Sequence, residues 1–100
     1  MSPRLMQTVA ERFKALSDPN RLQLLQLFAA RDQSVNELAE AAGLTVANTS
    51  KHLAILCKAR LIKRRKDGTR VIYALDGLLP RQLCELVCSD VRERAEHQLD

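Results

Sequence analysis

A cluster of polar residues near the middle of the chain places several kinds of hydrogen-bonding group on one short stretch. The groups are an amide, two hydroxyls, an ammonium group and an imidazole, from Asn48, Thr49, Ser50, Lys51 and His52. Such groups match the donors and acceptors on base edges and phosphates. The next residues, Leu53 to Leu56, are apolar. The stretch predicts a helix over residues 46–56 whose front half faces another molecule and whose back half is buried.

Basic residues are concentrated in the segment that follows. Eight Lys and Arg residues stand against the single acid Asp67 between residues 51 and 70, so this segment carries +7 while the whole chain carries +4. Concentrated charge of this kind attracts a polyanion, although a solvated basic face is the alternative for a charge run by itself. The candidate contact residues beside the polar cluster are Thr45, Arg64, Arg65, Lys66, Thr69 and Arg70.

The thiols form a second candidate site. Cys84 and Cys88 are four residues apart and would be neighbours on one face of a helix. Two thiolates at this spacing can bind a soft ion such as As(III), Cd(II) or Zn(II), with Cys57 or a residue of a second subunit as third ligand. Two alternatives stay open: oxidation or persulfidation of accessible thiols, and a purely structural role as small apolar residues in a dimer interface.

The elements that would position the polar cluster are a short helix and a tight turn. Ser34 and Glu37 have the spacing of a capping box, which predicts a helix over residues 35–42. Gly43 suits the left-handed position that ends such a helix, and Thr45 can cap the next one. A short helix, a glycine turn and a second helix are typical of a helix-turn-helix.

Two further helices precede this unit, and a hairpin and a last helix follow it. Apolar residues at helical spacing predict a first helix over residues 5–16. Ser17 or Asp18 as a cap, followed by Pro19, predicts the start of a second, buried helix. Asp67-Gly68 between two strand-like runs, 61–65 and 70–75, predicts a β-hairpin. Within its second strand, Val71, Tyr73 and Leu75 alternate with Arg70, Ile72 and Ala74, so one face can cover the core. A last amphipathic helix is predicted over residues 78–95.

These elements define the predicted fold class: mainly α with a small β-hairpin, a winged helix-turn-helix in the order four helices, two strands and one helix. Residues 1–100 are expected to form a single domain with dimerising first and last helices. A chain of 100 residues buries a limited core, and small helical domains often complete theirs by pairing.

Composition and motifs narrow the function class. The first residues, MSPRLMQTVAERF, contain no apolar signal region, and no run of about 18 apolar residues is present. Together with three cysteines, an odd number, this predicts a soluble cytoplasmic protein with reduced thiols and no membrane contact. We find no glycine-rich phosphate loop, Ser/His/Asp set or plausible carboxylate pair, so the sequence does not predict an enzyme.

Three segments resemble one known family. ALSDPNRLQLLQLF, SVNELAEAAGLTVANTSKHLAILCKARLI and RRKDGTRVIYAL, within residues 5–86, are similar to the ArsR/SmtB family of winged-helix repressors. The resemblance implies a homodimer, paired through the first and last helices, that binds a palindromic operator in double-stranded DNA. It also implies repression of transcription until an inducer weakens the complex. Arg60 departs from the family, which usually has Gly at this position.

The family's known metal sites do not carry over. The metalloid site is a Cys-x-Cys pair on the third helix, and the matching segment, residues 37–41, contains no cysteine. The zinc or nickel site on the last helix needs paired ligands, whereas Asp90, Glu93 and His97 are poorly spaced. We therefore expect a dimeric repressor with a soft-metal, metalloid or thiol-reactive inducer. The alternatives are a regulator that does not use its thiols and a winged-helix module that binds an acidic protein.

Overall fold

The computed structural model describes residues 1–99 and contains five helices and one antiparallel hairpin in this range. The elements, in chain order, are α1 (Pro3–Leu16), α2 (Pro19–Leu27), α3 (Val35–Ala42), α4 (Val46–Lys58), β1 (Ile62–Asp67), β2 (Arg70–Leu75) and α5 (Leu79–Leu99). The predicted order of elements is confirmed. The bounds of α3 and β2 agree with the prediction, whereas α1 begins earlier than predicted and α4, β1 and α5 end later.

Side-chain caps start the helices where the sequence predicts. Asp18 accepts hydrogen bonds from the N–H groups of Asn20 and Arg21, at 2.8 and 3.1 Å. The Ser34 hydroxyl and the Glu37 carboxylate form both hydrogen bonds of the capping box at α3. These contacts satisfy N–H groups that have no partner within the first turn of a helix.

Both helices of the helix-turn-helix end in a Schellman motif. At the end of α3, Gly43 has a φ of 69°, and the Leu44 N–H donates to the Ala39 carbonyl at 3.0 Å. At the end of α4, Arg60 has a φ of 63°, and the Leu61 N–H donates to the Leu56 carbonyl at 3.1 Å. The left-handed residue turns the chain so that the next apolar side chain packs back on the core.

The core lies between α2, α3, α4 and the start of the hairpin formed by β1 and β2, which we call the wing. Its fully buried side chains are Leu24, Leu38, Leu53, Leu56, Leu61 and Ile62. In the second strand, Ile72 and Ala74 are buried while Val71, Tyr73 and Leu75 are only half-buried. Both faces of the strand thus take part in packing: Ile72 and Ala74 are buried, and Tyr73 and Leu75 pack against the core from the other face. Leu22, expected on a buried helix, is exposed.

A third segment pairs with the hairpin. Gln33 exchanges two backbone hydrogen bonds with Tyr73, at 2.8 and 3.1 Å, as an isolated antiparallel bridge. Its buried side chain donates to the Leu27 carbonyl at 2.8 Å. The connector between α2 and α3 thus covers part of the edge of β2 and attaches the wing to the helical core.

The terminal helices contribute little to this core. The radius of gyration is 15.1 Å, against about 13 Å for a compact domain of this length. Large apolar side chains stay exposed on α1 and α5: Leu5, Met6, Phe13, Leu79, Leu86, Val87 and Val91. Among residues 1–99, none of the helices has the length and apolar character needed to cross a membrane.

Candidate nucleic-acid interface

The front of α4 carries the polar side chains that the sequence singles out. Thr45 caps the helix by accepting a hydrogen bond from the Asn48 N–H at 3.1 Å. Asn48, Ser50 and Lys51 are exposed, and His52 is half-buried at the side of the helix. Four of the five residues of the cluster can therefore reach a molecule outside the domain.

Thr49 is the exception, and its predicted role as a contact residue was wrong. Its side chain is fully buried, and its hydroxyl donates to the Thr45 carbonyl at 2.8 Å. Residue 49 shares a helical face with Leu53 and Leu56, which point into the core. An unbroken polar run on a helix must turn at least one of its members inward, because successive side chains are about 100° apart.

Helical geometry also exposes apolar residues that the sequence argument missed or misplaced. Val46 and Ala47 are exposed on the first turn of α4 and can contact the methyl group of thymine. The helical period gave a signal for Ala47, which lies about 120° from Leu53 around the helix, but not for Val46, which lies seven residues before Leu53 on the same face. Ile55, expected to hold the helix on the domain, is 42% exposed and lines a cavity between α1 and α4.

His52 contacts a side chain that the sequence argument did not single out. The Arg21 guanidinium approaches it with Nη1 at 3.4 Å from His52 Nδ1. Arg21 also donates from Nε to the Ala15 carbonyl at 2.7 Å and from Nη2 to the Lys14 carbonyl at 3.3 Å. The residue thus joins the end of α1 to the side of α4.

The cations of the wing are partly engaged within the chain. Arg65 forms an ion pair with Asp32 at 3.6 Å, and Arg70 forms one with Glu37 at 2.6 Å. The Arg64 guanidinium lies 6.0 Å from the centre of the Tyr73 ring. All three guanidinium side chains are exposed, as are Lys66 and Thr69 at the tip. Exposed ion pairs are weak, so these cations stay available to a stronger anion.

Glu37 connects α3 to both the preceding loop and the wing. The Ser34 N–H, then the Arg31 guanidinium, lower the pKa of its carboxyl to about 2. Arg31 and Arg70 each approach it at 2.6 Å. The carboxylate therefore orients the first helix of the helix-turn-helix relative to the hairpin.

Comparisons with known proteins agree with this geometry. Residues 18–64 match the family described as bacterial regulatory protein, arsR family. The arsenical resistance operon repressor of Bacillus subtilis is 35% identical over 86 residues, which cover 80% of this chain and 82% of that protein. The chain belongs to the ArsR family.

Other relatives and solved structures support the same assignment. The HTH-type transcriptional regulator KmtR of Mycobacterium tuberculosis is 47% identical over 75% of this chain, but the match spans 58% of KmtR. The match to a second regulator of that species, Rv0081, spans 59% of its length. The homodimeric winged helix-turn-helix DNA-binding domain of Mb0332 from Mycobacterium bovis superposes with a TM-score of 0.88, at 34% identity, over 97% of this chain and 93% of that chain.

The thiols of this ArsR-family chain do not form one metal site. Cys84 and Cys88 both line a cavity of about 280 Å³ between α2, the end of β2 and α5, whereas Cys57 packs beside the core. Within residues 1–99, no group of three or more His, Cys, Asp or Glu side chains is placed to hold a metal ion. The predicted participation of Cys57 as a third ligand is therefore not supported by this chain's geometry.

The thiol pair adjoins the apolar stripe of α5. Leu79 and Leu86 point away from the thiols, whereas Val91 lies seven residues after Cys84, on the same side of the helix, and Val87 lies three residues after Cys84. Burial raises the pKa of the Cys84 thiol, and the neighbouring Cys88 raises it further. Cys84 is half-buried and Cys88 is exposed, and both line the cavity.

Proposed function

We propose that this protein is a dimeric DNA-binding transcriptional repressor of the cytoplasm. One observation carries the proposal: α4 presents exposed Asn48, Ser50 and Lys51 beside a cationic wing, while Thr49, Leu53 and Leu56 hold the helix on the core. The ArsR-type relatives, among them the Bacillus subtilis repressor, support the regulatory role.

In this proposal the front of α4 enters the major groove. The groove admits one α-helix, and each base pair presents a distinct pattern of donors and acceptors there. The Asn48 amide matches adenine, Lys51 matches guanine or a phosphate, and the small Ser50 permits close approach. Thr45, at the start of the helix, lies where a phosphate would meet the N-terminal N–H groups.

The wing supplies affinity more than sequence choice. Arg64, Arg65, Lys66, Thr69 and Arg70 lie along one short hairpin, and long cationic side chains release counterions from the phosphate backbone. Such contacts position the protein without reading bases.

Two copies are needed to bind a palindrome. The exposed apolar residues of α1 and α5 have no partner within the described chain, and the Mb0332 domain with the same fold is homodimeric. We propose that these helices pair, so that two copies of α4 meet half-sites about 34–36 Å apart.

An inducer would act through the dimer helices. Cys84 and Cys88 are the candidate sensors for a soft ion or a thiol-reactive signal, because both line one cavity. Titration of the DNA complex with As(III), Cd(II), Zn(II) and a persulfide donor would test this. Release from the wild type but not from Cys84→Ser/Cys88→Ser would support a thiol sensor, and equal behaviour would exclude it.

The decisive experiment measures DNA binding. Duplexes selected from a random library with the wild-type protein are used as probes in a gel-shift assay. Lys51→Ala/His52→Ala should abolish binding to them while the dimer stays folded. The matched control, Arg4→Ala/Gln7→Ala, removes one cation and one neutral polar group from exposed positions on α1 and should bind like the wild type. Unchanged binding by the Lys51/His52 variant would overturn the proposal.

A further inference from the structure

Arg21 is held in one orientation by contacts at the end of α1. Its Nε donates to the Ala15 carbonyl at 2.7 Å and its Nη2 donates to the Lys14 carbonyl at 3.3 Å. The Asp18 carboxylate lies 4.0 Å from Nη1, and only 13% of the Arg21 side chain is exposed. Three neighbours therefore determine where the remaining N–H of Nη1 points.

That N–H points to the imidazole of His52. Nη1 lies 3.4 Å from His52 Nδ1. A guanidinium has five donors and no acceptor, so the contact is a hydrogen bond only if Nδ1 is the acceptor. The hydrogen of a neutral imidazole must then be on Nε2.

Nε2 is free to contact a molecule outside the domain. Among residues 1–99, His52 has one side-chain hydrogen bond, the contact of Nδ1 with Arg21. No buried side-chain nitrogen or oxygen in this range lacks a partner. Nε2 has no partner among these residues, so its absence from the buried unpaired atoms means that it keeps some exposure to solvent.

We propose that Arg21 is a positioning residue that sets His52 as a hydrogen-bond donor toward DNA. The inference rests on the proposed function and deepens it. A donor at Nε2 selects acceptors on the major-groove edge, which are N7 of guanine and adenine, O6 of guanine and O4 of thymine, and rejects the amino group of cytosine. The same side chain connects the last turn of α1 to the DNA-facing helix, so a shift of α1 would change the orientation of this donor.

Arginine suits this role better than lysine. Its planar fork makes three contacts in different directions at once, to two carbonyls and an imidazole. A lysine ammonium is a single centre at the end of a flexible chain. Arg21→Lys therefore keeps the charge and loses the simultaneous contacts.

The first test examines the free protein and requires no DNA. The chain has two histidines, so a His97→Gln background leaves only His52 in a long-range ¹H–¹⁵N correlation spectrum. We expect the Nε2–H tautomer in this protein and a mixture with Nδ1–H in Arg21→Met. The Nδ1–H form as the main species with Arg21 present would overturn the inference. Because this main result is obtained with Arg21 intact, it stands even if Arg21→Met fails to fold.

The second test measures base preference. Selection from random duplexes should disfavour cytosine at one position of each half-site, with about a fivefold loss for cytosine relative to the bases that offer an acceptor there. His52→Ala should abolish this preference, Arg21→Lys should weaken it, and the double variant should be no worse than His52→Ala. Losses of affinity that add in the double variant would overturn the inference. So would a loss that is equal for all sequences, as expected for a phosphate contact. If the wild type retains no duplex, the proposed function fails while the tautomer result remains valid.

Discussion

Arg60 occupies a backbone conformation that L-amino acids disfavour. Its φ is 63°, and it ends α4 in the same Schellman motif in which Gly43, with a φ of 69°, ends α3. The resemblance to ArsR proteins identified Arg60 as a departure from the usual glycine, and the backbone now gives the physical reason for that preference. The left-handed conformation costs about 1–2 kcal/mol for a residue with a Cβ.

We predict that Arg60→Gly stabilises the protein. The relief of strain exceeds the greater flexibility of glycine in the unfolded chain, so the net gain should be about 0.5–1 kcal/mol, or roughly 3–6 °C in Tm. Gly43→Ala should do the reverse and cost about 1 kcal/mol, although a Cβ at Gly43 would meet no atom within 4 Å. Thermal unfolding followed by circular dichroism measures both. A lower Tm for Arg60→Gly would show that the arginine side chain stabilises the turn.

Two acidic residues link the wing to the helix α3 and to the connector before it. Glu37 is the common partner of Arg31 and Arg70, and Asp32 is the partner of Arg65. These pairs lie among the cations proposed to bind phosphate, so they influence both the stability of the domain and its affinity for DNA.

We predict that Glu37→Gln removes a pH-dependent part of the stability. The pKa of this carboxyl is lowered from 4.5 to about 2 in the folded protein. A lowered folded pKa gives stability that is present above pH 4.5 and is lost as the pH falls through about 2. The difference in the free energy of unfolding between the wild type and Glu37→Gln should therefore shrink between pH 5 and pH 2.

Urea unfolding at a series of pH values measures this difference. Glu40→Gln, an exposed position on the same helix, serves as the control and should follow the wild-type pH profile. A difference for Glu37→Gln that is constant from pH 5 to pH 2 would contradict the assignment of these contacts.

We predict that Asp32→Asn increases the affinity for DNA of any sequence. The change frees Arg65 from its ion pair and removes a negative charge beside the wing. An exposed pair contributes about 0.2–1 kcal/mol, so the affinity should rise by at most about fivefold at low salt. Glu11→Gln makes the same change in net charge on α1 and should have a smaller effect. Fluorescence anisotropy at several salt concentrations distinguishes the two, and equal effects would point to net charge alone.

In the whole molecule, the terminal helices carry apolar surface that a single chain does not bury. The apolar stripe of α5 is exposed, with Leu86, Val87 and Val91 each at least 59% accessible. The cavity that Cys84 and Cys88 line adjoins this stripe, because Val91 lies seven residues after Cys84 on the same side of the helix. Pairing through the stripe would therefore place the partner subunit close to the thiols.

We predict that Val87→Glu separates the dimer into monomers. A charge in an apolar interface is unfavourable, and the loss of simultaneous contact with two half-sites should weaken binding to a selected palindrome by about 10²-fold or more. Ser89→Glu places the same charge on the cavity face and should leave the dimer intact. Light scattering coupled to size exclusion reports the mass. A dimeric Val87→Glu protein would refute pairing through the stripe.

Local signals in the sequence determined the order of the elements. Caps at Asp18 and Ser34, the glycine at residue 43 and the turn after Asp67 depend on neighbours within a few residues. The α3 bounds and the winged helix-turn-helix were correctly predicted for this reason, whereas the ArsR family was predicted from the resemblance of three longer segments. The candidate contact residues stay a prediction until DNA binding is measured.

The tertiary structure decided which side chains face outward and which form contacts within the chain. Burial of Thr49, exposure of Ile55 and the pairing of Arg65 with Asp32 depend on helix rotation and on contacts between distant segments. The contact of Arg21 with His52 joins residues 31 positions apart. A local sequence pattern cannot predict a contact between residues so far apart in the chain. Packing of the core brings these groups together.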